Sequence, residues 1–472
     1  VSDDGRHQAG DRQFRPLESM SSLLIYNGVV VTLGEGDHTP RLGWVYVSDS
    51  HIKQLGNGEA PPAVRNADTT IDAGGNVVMP GLINAHTHLF QTFARGTGDD
   101  LPLLEWIDKA ILPVAENITS DEIHAAAKLG LIENIRSGAT SVLEHQYIRA
   151  DGADEAVCRA ALEVGSRMVL ARGWTDLHHS SALVESIDEF TSATEVLHRE
   201  WDGADARIKI ETGPVAPWGC SDEGTVTCRS LANQLGCGIH THCAETQAEV
   251  AMGLERNGLR HVEWLDQLGI LGPDTQLAHT VWVDEHELDL IASSGASVVH
   301  CPVSNMYLAS GVAPITEMLK RNITVALATD GPGSNNSQDM FEGMKATILL
   351  QKVHHLDAGV LSPIDVLRMA CHGGSSAIGE GDSLGRLEEG CLADIIVVDL
   401  ATPFSTPVHD THSALVFNAS ARDVRTVVVG GRVVLRDGRF TTLDEHQALV
   451  AATESCRGLF DRAGLLSEVN QL

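Results

Sequence analysis

GLINAHTHLF, residues 81–90, decides the reading of this chain. An apolar, strand-like run leads into His86 and His88. Side chains alternate faces along a strand, so both imidazoles leave it in the same direction. Two histidines converging at the end of a buried strand make half of a metal site. The other half is expected on the ends of further strands.

Strand candidates recur at 140–144, 168–172, 208–215, 237–242, 275–279, 297–301 and 323–328, which with the strand before His86 makes eight. Helical segments alternate with them. The clearest is 119–137, where Thr119 and Glu122 form a capping box, Ile123, Ala127, Leu131 and Ile135 share a face, and Gly138 stops the helix. Eight strands alternating with helices over residues 80–384 predict an α/β fold of the (β/α)8 TIM barrel type.

Two β-rich patches bracket this middle. Residues 23–33 are β-branched and broken at Asn27-Gly28, which reads as a hairpin turn, and 44–55 and 69–79 continue in that style. The style returns at 393–399 and at 424–435, with a turn at Gly430-Gly431. The prediction is a small β-sandwich built from both chain ends, 23–79 plus 385–445, with 446–472 as a C-terminal helix packed on the body. Residues 1–22 are polar and lack an apolar core segment, so they read as a disordered leader and not a signal peptide, with Met20 as an alternative start.

The composition limits the partners. Of 472 residues 43% are apolar, enough for a large core, and 33 basic against 64 acidic side chains give a formal charge of −31. So acidic a surface repels phosphate backbones and anionic lipid, which argues against nucleic-acid and membrane partners. Nine cysteines, an odd number without CxxC spacing, read as reduced thiols of a cytoplasmic protein. A homo-oligomer formed through the sandwich or the loops is compatible with all of this.

In a (β/α)8 barrel the C-terminal strand ends face one mouth, where catalytic groups gather. Here the first strand ends in His86 and His88, the fifth (GIHTHCAET) in His240, His242 and Glu245, the sixth in His279 and the eighth in Asp330. Neutral imidazoles plus a carboxylate, with one position open, satisfy zinc or ferrous iron. His86, His88, His242 and Asp330 supply that set. A bound divalent metal brings water to ionise near neutral pH. Asp330 can take its proton, Glu245 can shuttle a proton to a ring nitrogen of the substrate, and His279 can hold the attacking water.

Blander readings stand beside these. His240 shares parity with His242 and reads as a structural residue deeper in the barrel. Asp330 could cap a helix. His300 reads as packing, His178-His179 as solvated loop and His354-His355 as helix surface. His261-Val262-Glu263 matches the HxE of cytidine-type zinc deaminases, but no PCxxC follows. Gly379, Gly381 and Gly385 lack dinucleotide-binding spacing.

The sequence resembles the amidohydrolase superfamily from about residue 23 onward. The nearest branch contains the methylthioadenosine/S-adenosylhomocysteine deaminases, 8-oxoguanine deaminases and triazine hydrolases. The resemblance rests on PGLINAHTHL (80–89), HTHCAET (240–246), HCPVSNMYLASG (300–311), TDGPGSNNSQDMFEGM (329–344) and GRLEEGCLADIIVVD (385–399). It implies one metal, zinc first and iron second, held by His86, His88, His242 and Asp330, with Glu245 and His279 as the catalytic pair. Binuclear relatives use a carboxylated lysine on a middle strand, whereas Lys209 lies near the start of the fourth strand.

For the substrate the resemblance points two ways. DDLPLLEW (99–106) is similar to adenosine-analogue deaminases, in which a glutamate matching Glu105 holds ribose hydroxyls; Glu105 could instead be an ordinary helix-surface acid. Those enzymes carry a purine-contacting histidine where this chain has Val215. HLFQTFARG (88–96) and LARG (170–173) look like deaminases of oxidised purines, pterins or hydroxytriazines, with Gln91 and Arg172 reading a carbonyl-bearing ring; Gln91 could instead cap a loop and Arg172 pair with an acid. The expected activity is metal-dependent hydrolytic deamination of an aromatic nitrogen heterocycle: an oxidised purine, pterin, triazine or adenosine analogue. Triazine dechlorination or N-dealkylation and cyclic amide hydrolysis are the enzymatic alternatives. A non-catalytic metal or heterocycle binder would be expected to lack Glu245 or Asp330, and both are present.

Overall fold

A computed structural model describes residues 22–465 except 35, 37, 38, 178 and 179. The expected leader (apart from Ser22, which already lies in a strand), Met20, His178-His179 and the end of the expected C-terminal helix fall outside the described residues.

The centre is an eight-stranded sheet in sequence order: β1 (Leu82–Thr87), β2 (Ala139–Gln146), β3 (Arg167–Trp174), β4 (Ile208–Pro214), β5 (Ile239–Cys243), β6 (Thr275–His279), β7 (Ser297–His300) and β8 (Val325–Leu327). Every neighbouring pair is parallel. These strands are buried almost throughout because helices cover their outer faces, which explains their unbroken apolar runs. The ends of the sheet meet beside the mouth. The Asp330 amide donates to the His86 carbonyl at 3.1 Å, and the Thr329 amide to Asn84 Oδ1 at 3.0 Å. The sheet is thus a nearly closed (β/α)8 barrel. The helix Ser120–Arg136 follows β1 and carries the capping box of Thr119 and Glu122.

A second sheet joins both chain ends. Its nine strands are Ser22–Val30, Arg41–Ser48, His51–Asn57, Thr69–Asp72 and Val77–Pro80 from one end, and Ile395–Val398, Val424–Val429, Arg432–Arg436 and Arg439–Phe440 from the other. Val77–Pro80 pairs antiparallel with Ile395–Val398 and runs through Gly81 directly into β1. A Cβ on Gly81 would stand 2.2 Å from Thr140 Oγ1, so only glycine permits this close passage. The expected hairpin at Asn27-Gly28 is not formed. Asn27 takes a left-handed φ of 56°, and the register shifts between Tyr26 and Gly28, so the pair makes a bulge inside one continuous strand. The turn at Gly430-Gly431 does form, with both residues at positive φ, as the tight connection between paired strands requires.

The C-terminal helix Glu445–Arg462 lies against Ser120–Arg136, tied by Arg462 to Glu122 and by Arg136 to Glu445. Among the described residues no helix is long and apolar enough to cross a membrane.

Candidate active site

Because strand parity aims His86 and His88 at the barrel axis, and β5 aims His242 at the same point, the three imidazoles converge. His88 Nε2 and His242 Nε2 are 3.1 Å apart, and Asp330 Oδ1 lies 3.3 Å from His86 Nε2 and 3.6 Å from His88 Nε2. The other ring nitrogens are engaged: His88 Nδ1 donates to the His145 carbonyl at 2.8 Å, and His242 Nδ1 to the Val215 carbonyl at 2.6 Å. A carbonyl only accepts, so each Nδ1 carries the proton and each Nε2 keeps a lone pair. Two buried lone pairs this close repel unless a cation lies between them. Nitrogens bound tetrahedrally about 2 Å from zinc would be about 3.3 Å apart. His86 Nε2 is buried without a hydrogen-bond partner. Burial keeps the rings neutral. It lowers His86 and His242, and it brings His88 down to about 3, helped by the neighbouring His86, beside which a second charged ring would be repelled. This donor set fits a divalent cation.

Asp330 is held from several sides. Its backbone is left-handed at φ 62°, a conformation that costs energy outside glycine and turns the carboxylate back to the axis. Oδ1 accepts from the Gly331 amide at 2.7 Å, and Oδ2 from Ser304 and Ser334 at 2.7 and 2.8 Å. Its carbonyl accepts from Thr87 and Gln338. Burial works against ionisation, but the close approach of His86 and the other surrounding imidazoles holds the carboxyl well below the usual range.

Glu245 and His279 form the second half of the site. Glu245 Oε2 lies 3.6 Å from His279 Nε2, and Glu245 Oε1 accepts from Ser310 at 2.8 Å. His279 Nδ1 donates to Asn305 Oδ1 at 2.9 Å, and its Nε2 is 4.0 Å from Asp330 Oδ2. Burial pushes the Glu245 carboxyl up to about 7 against the pull of His279. Burial lowers His279, yet Glu245 and Asp330 more than offset that and leave it raised. His261, dismissed as part of a decoy motif, accepts from the Ala244 amide at 3.0 Å and so steadies the turn that presents Glu245.

A cavity opens onto this cluster. Its apolar wall includes Leu103, Trp106, Ile107, Ile111, Leu112 and Leu308, and Glu245, Asp330 and Glu249 supply carboxylates. No lysine or arginine is among the described residues lining it. Gln91 and Val215 line it. Glu105 does not: it is exposed and pairs with Lys109 at 2.7 Å, while its neighbour Trp106 turns inward. Arg172 is also absent from the wall. It is buried and held by Asp154 at 3.0 Å and Glu185 at 2.9 Å, so the pairing alternative is the one the fold adopts. Lys209 lies at the opposite end of the barrel, paired with Glu380 at 2.5 Å. His300 is buried and His354-His355 are exposed.

His240 sits below the cluster, with Nε2 2.7 Å from His86 Nδ1. His145, at the end of β2, joins His86, His88 and His242 in one group of potential ligand atoms. Sequence reasoning did not single out His145, nor Ser304, Asn305, Ser310, Ser334 and Gln338. Those five lie inside the quoted stretches 300–311 and 329–344, the one signal that could have found them.

The chain matches the amidohydrolase family over residues 77–434. It is 37% identical over 444 residues to a 5′-deoxyadenosine deaminase of Methanosarcina mazei, covering 94% of this chain and 99% of that one. It is 38% identical over 431 residues to a 5-methylthioadenosine/S-adenosylhomocysteine deaminase of Syntrophobacter fumaroxidans, covering 91% and 97%. Among solved structures, an adenosine deaminase from Xanthomonas campestris with bound zinc superposes with a TM-score of 0.86 at 32% identity, covering 94% of this chain and 99% of that one. An atrazine chlorohydrolase from Arthrobacter aurescens shares the fold, with a TM-score of 0.87 at 24% identity over 92% and 100%. The chain therefore belongs to the amidohydrolase family. It is a hydrolase of carbon–nitrogen bonds in cyclic amidines, a deaminase of a nitrogen heterocycle that uses a divalent metal.

Proposed function

We propose that the substrate is an adenine-type nucleoside with an uncharged 5′ end, deaminated with one zinc ion held by His86, His88, His242 and Asp330. The observation that carries this is the cavity itself: apolar on one wall, bearing three carboxylates, with no lysine or arginine among its described lining residues. A 5′ phosphate reaching away from the metal end of the cavity would find no lysine or arginine to pair it. The deaminases that resemble this chain point to the same ring, and a 5′-deoxy sugar is uncharged where a nucleotide is not. A cytoplasmic location belongs to this reading, supported by nine free cysteines.

When bound, the ion lowers the pKa of water towards neutrality. The protein's own groups do the rest. Asp330 and His279 flank the position of the attacking water, take up its proton and pass it to the departing amino group, which leaves as ammonia. Glu245, raised to about 7, is protonated in a substantial fraction of molecules at neutral pH and delivers that proton to the ring nitrogen beside the carbon that loses its amino group. Ser310 holds the other oxygen of Glu245 in place during transfer. Gln91, whose Oε1 has no partner, offers an acceptor to the ring edge.

Ammonia release tests this with the zinc-loaded protein on 5′-deoxyadenosine, methylthioadenosine, adenosine, S-adenosylhomocysteine, AMP, guanine and hydroxyatrazine. The uncharged adenine nucleosides should be turned over, with AMP at least about 100-fold slower in kcat/KM. Preference for AMP, or activity confined to guanine or the triazine, would overturn the reading.

A further inference from the structure

His86 differs from the other two converging imidazoles in what holds it. His88 and His242 lean on backbone carbonyls, which accept only, so their tautomer is fixed by the partner. The partner of His86 Nδ1 is another imidazole nitrogen, Nε2 of His240, at 2.7 Å. An imidazole nitrogen can donate or accept, so this contact alone leaves the proton on either ring. If His240 Nε2 carried it, His86 would present N–H and not a lone pair to the axis.

What settles the matter lies one layer deeper. β5 and β6 pair with His240 opposite Gln276, so both side chains enter the barrel at the same level. Nδ1 of His240 and Oε1 of Gln276 are both buried, and neither has a hydrogen-bond partner. One needs an acceptor and the other a donor. Gln276 also faces the buried carboxyl of Glu211 on β4, an acceptor for its amide that leaves its carbonyl oxygen to serve His240. From this geometry we infer that His240 and Gln276 are positioning residues which fix the tautomer of His86. Gln276 takes the proton of His240 Nδ1, His240 Nε2 is left as an acceptor, and His86 is obliged to donate from Nδ1 and keep the lone pair on Nε2. The inference rests on His86 being a metal ligand, as proposed above.

The test is the zinc dissociation constant, measured by competition with a chromophoric chelator, together with the thermal midpoint of the metal-free protein. Loss of an outer-shell partner of this kind weakens metal binding by about 10–100-fold. His240→Ala and Gln276→Leu should both show that loss, while Gln276→Glu, which restores an acceptor, should bind zinc close to wild type. A purely packing role predicts the opposite pattern: metal-free stability falls and zinc affinity does not. Zinc affinity within about twofold of wild type in Gln276→Leu would overturn the inference. Should His240→Ala fail to fold, the Gln276→Leu and Gln276→Glu pair decides alone. A wild-type protein that takes up no zinc would sink the metal reading itself, a failure distinct from wild-type binding that is indifferent to Gln276.

Discussion

The carboxylate of Glu245 lies 3.6 Å from the imidazole of His279, and the two are brought together from different strands by turns with left-handed backbone at Ala244 and His279. Each shifts the other. Burial drives the acid up to about 7, and the acid keeps the imidazole raised. This pair separates proton delivery from metal holding, and the first two predictions exploit that.

Glu245→Gln keeps the shape of the side chain and removes the transferable proton. Turnover should fall by about 10²–10⁴ with zinc content unchanged. Steady-state kinetics alongside metal analysis checks this. An active Glu245→Gln enzyme would remove Glu245 from the proposed mechanism.

Asp330→Ala should lose both metal and activity, because the remaining donors are three neutral imidazoles with no charge to balance the cation. Metal content after gel filtration is the readout. A fully metallated, active variant would reduce Asp330 to a loop-closing residue bonded to Gly331, Ser304 and Ser334.

Glu211 offers a pH test remote from the metal. Burial raises its carboxyl from 4.5 to about 7. Between those values the folded protein binds a proton that the unfolded chain has released, so this group's contribution falls as pH rises through the window and is constant above it. Glu211→Gln should therefore gain on wild type between pH 5 and pH 8, by on the order of 2–3 kcal/mol. Denaturant melts at the two pH values measure the gap; a constant difference at both would show that Glu211 does not titrate in that range.

Glu105 and Arg172 were both expected at the substrate, and neither lines the cavity. Glu105→Ala should leave KM unchanged and stability within about 0.5 kcal/mol, since an exposed i,i+4 pair contributes little. Arg172→Ala should cost about 3–5 kcal/mol by stranding Asp154 in a largely buried setting, while Glu185 keeps its pairing with Arg149. A rise in KM with unchanged melting in either variant would return that residue to the substrate.

Local pattern made much of the site legible. Strand alternation alone placed His86 with His88, and His240 below His242, because the period of two is a property of a few consecutive residues. The eight strand candidates coincide with β1–β8 to within a few residues, since buried parallel strands are unbroken apolar runs. The Asn27-Gly28 turn was misread because left-handed backbone at that dipeptide serves a bulge as readily as a hairpin, and only the partner strand's register decides between them. Glu105 and Trp106 are adjacent on one helical turn, and which of them faces inward depends on how that turn packs.

The sequence by itself determined the barrel, the strands that carry its chemistry and the pairing of histidines within each strand, because those follow from hydrophobic periodicity and short-range geometry. Only the tertiary structure decided that Arg172 faces Asp154 and Glu185, that His240 backs His86, that His145 stands beside the cluster and that the cavity wall carries acids without cations. Those relations join residues tens to hundreds of positions apart. They depend on register between strands and on how each loop folds back over the mouth, which no local pattern encodes.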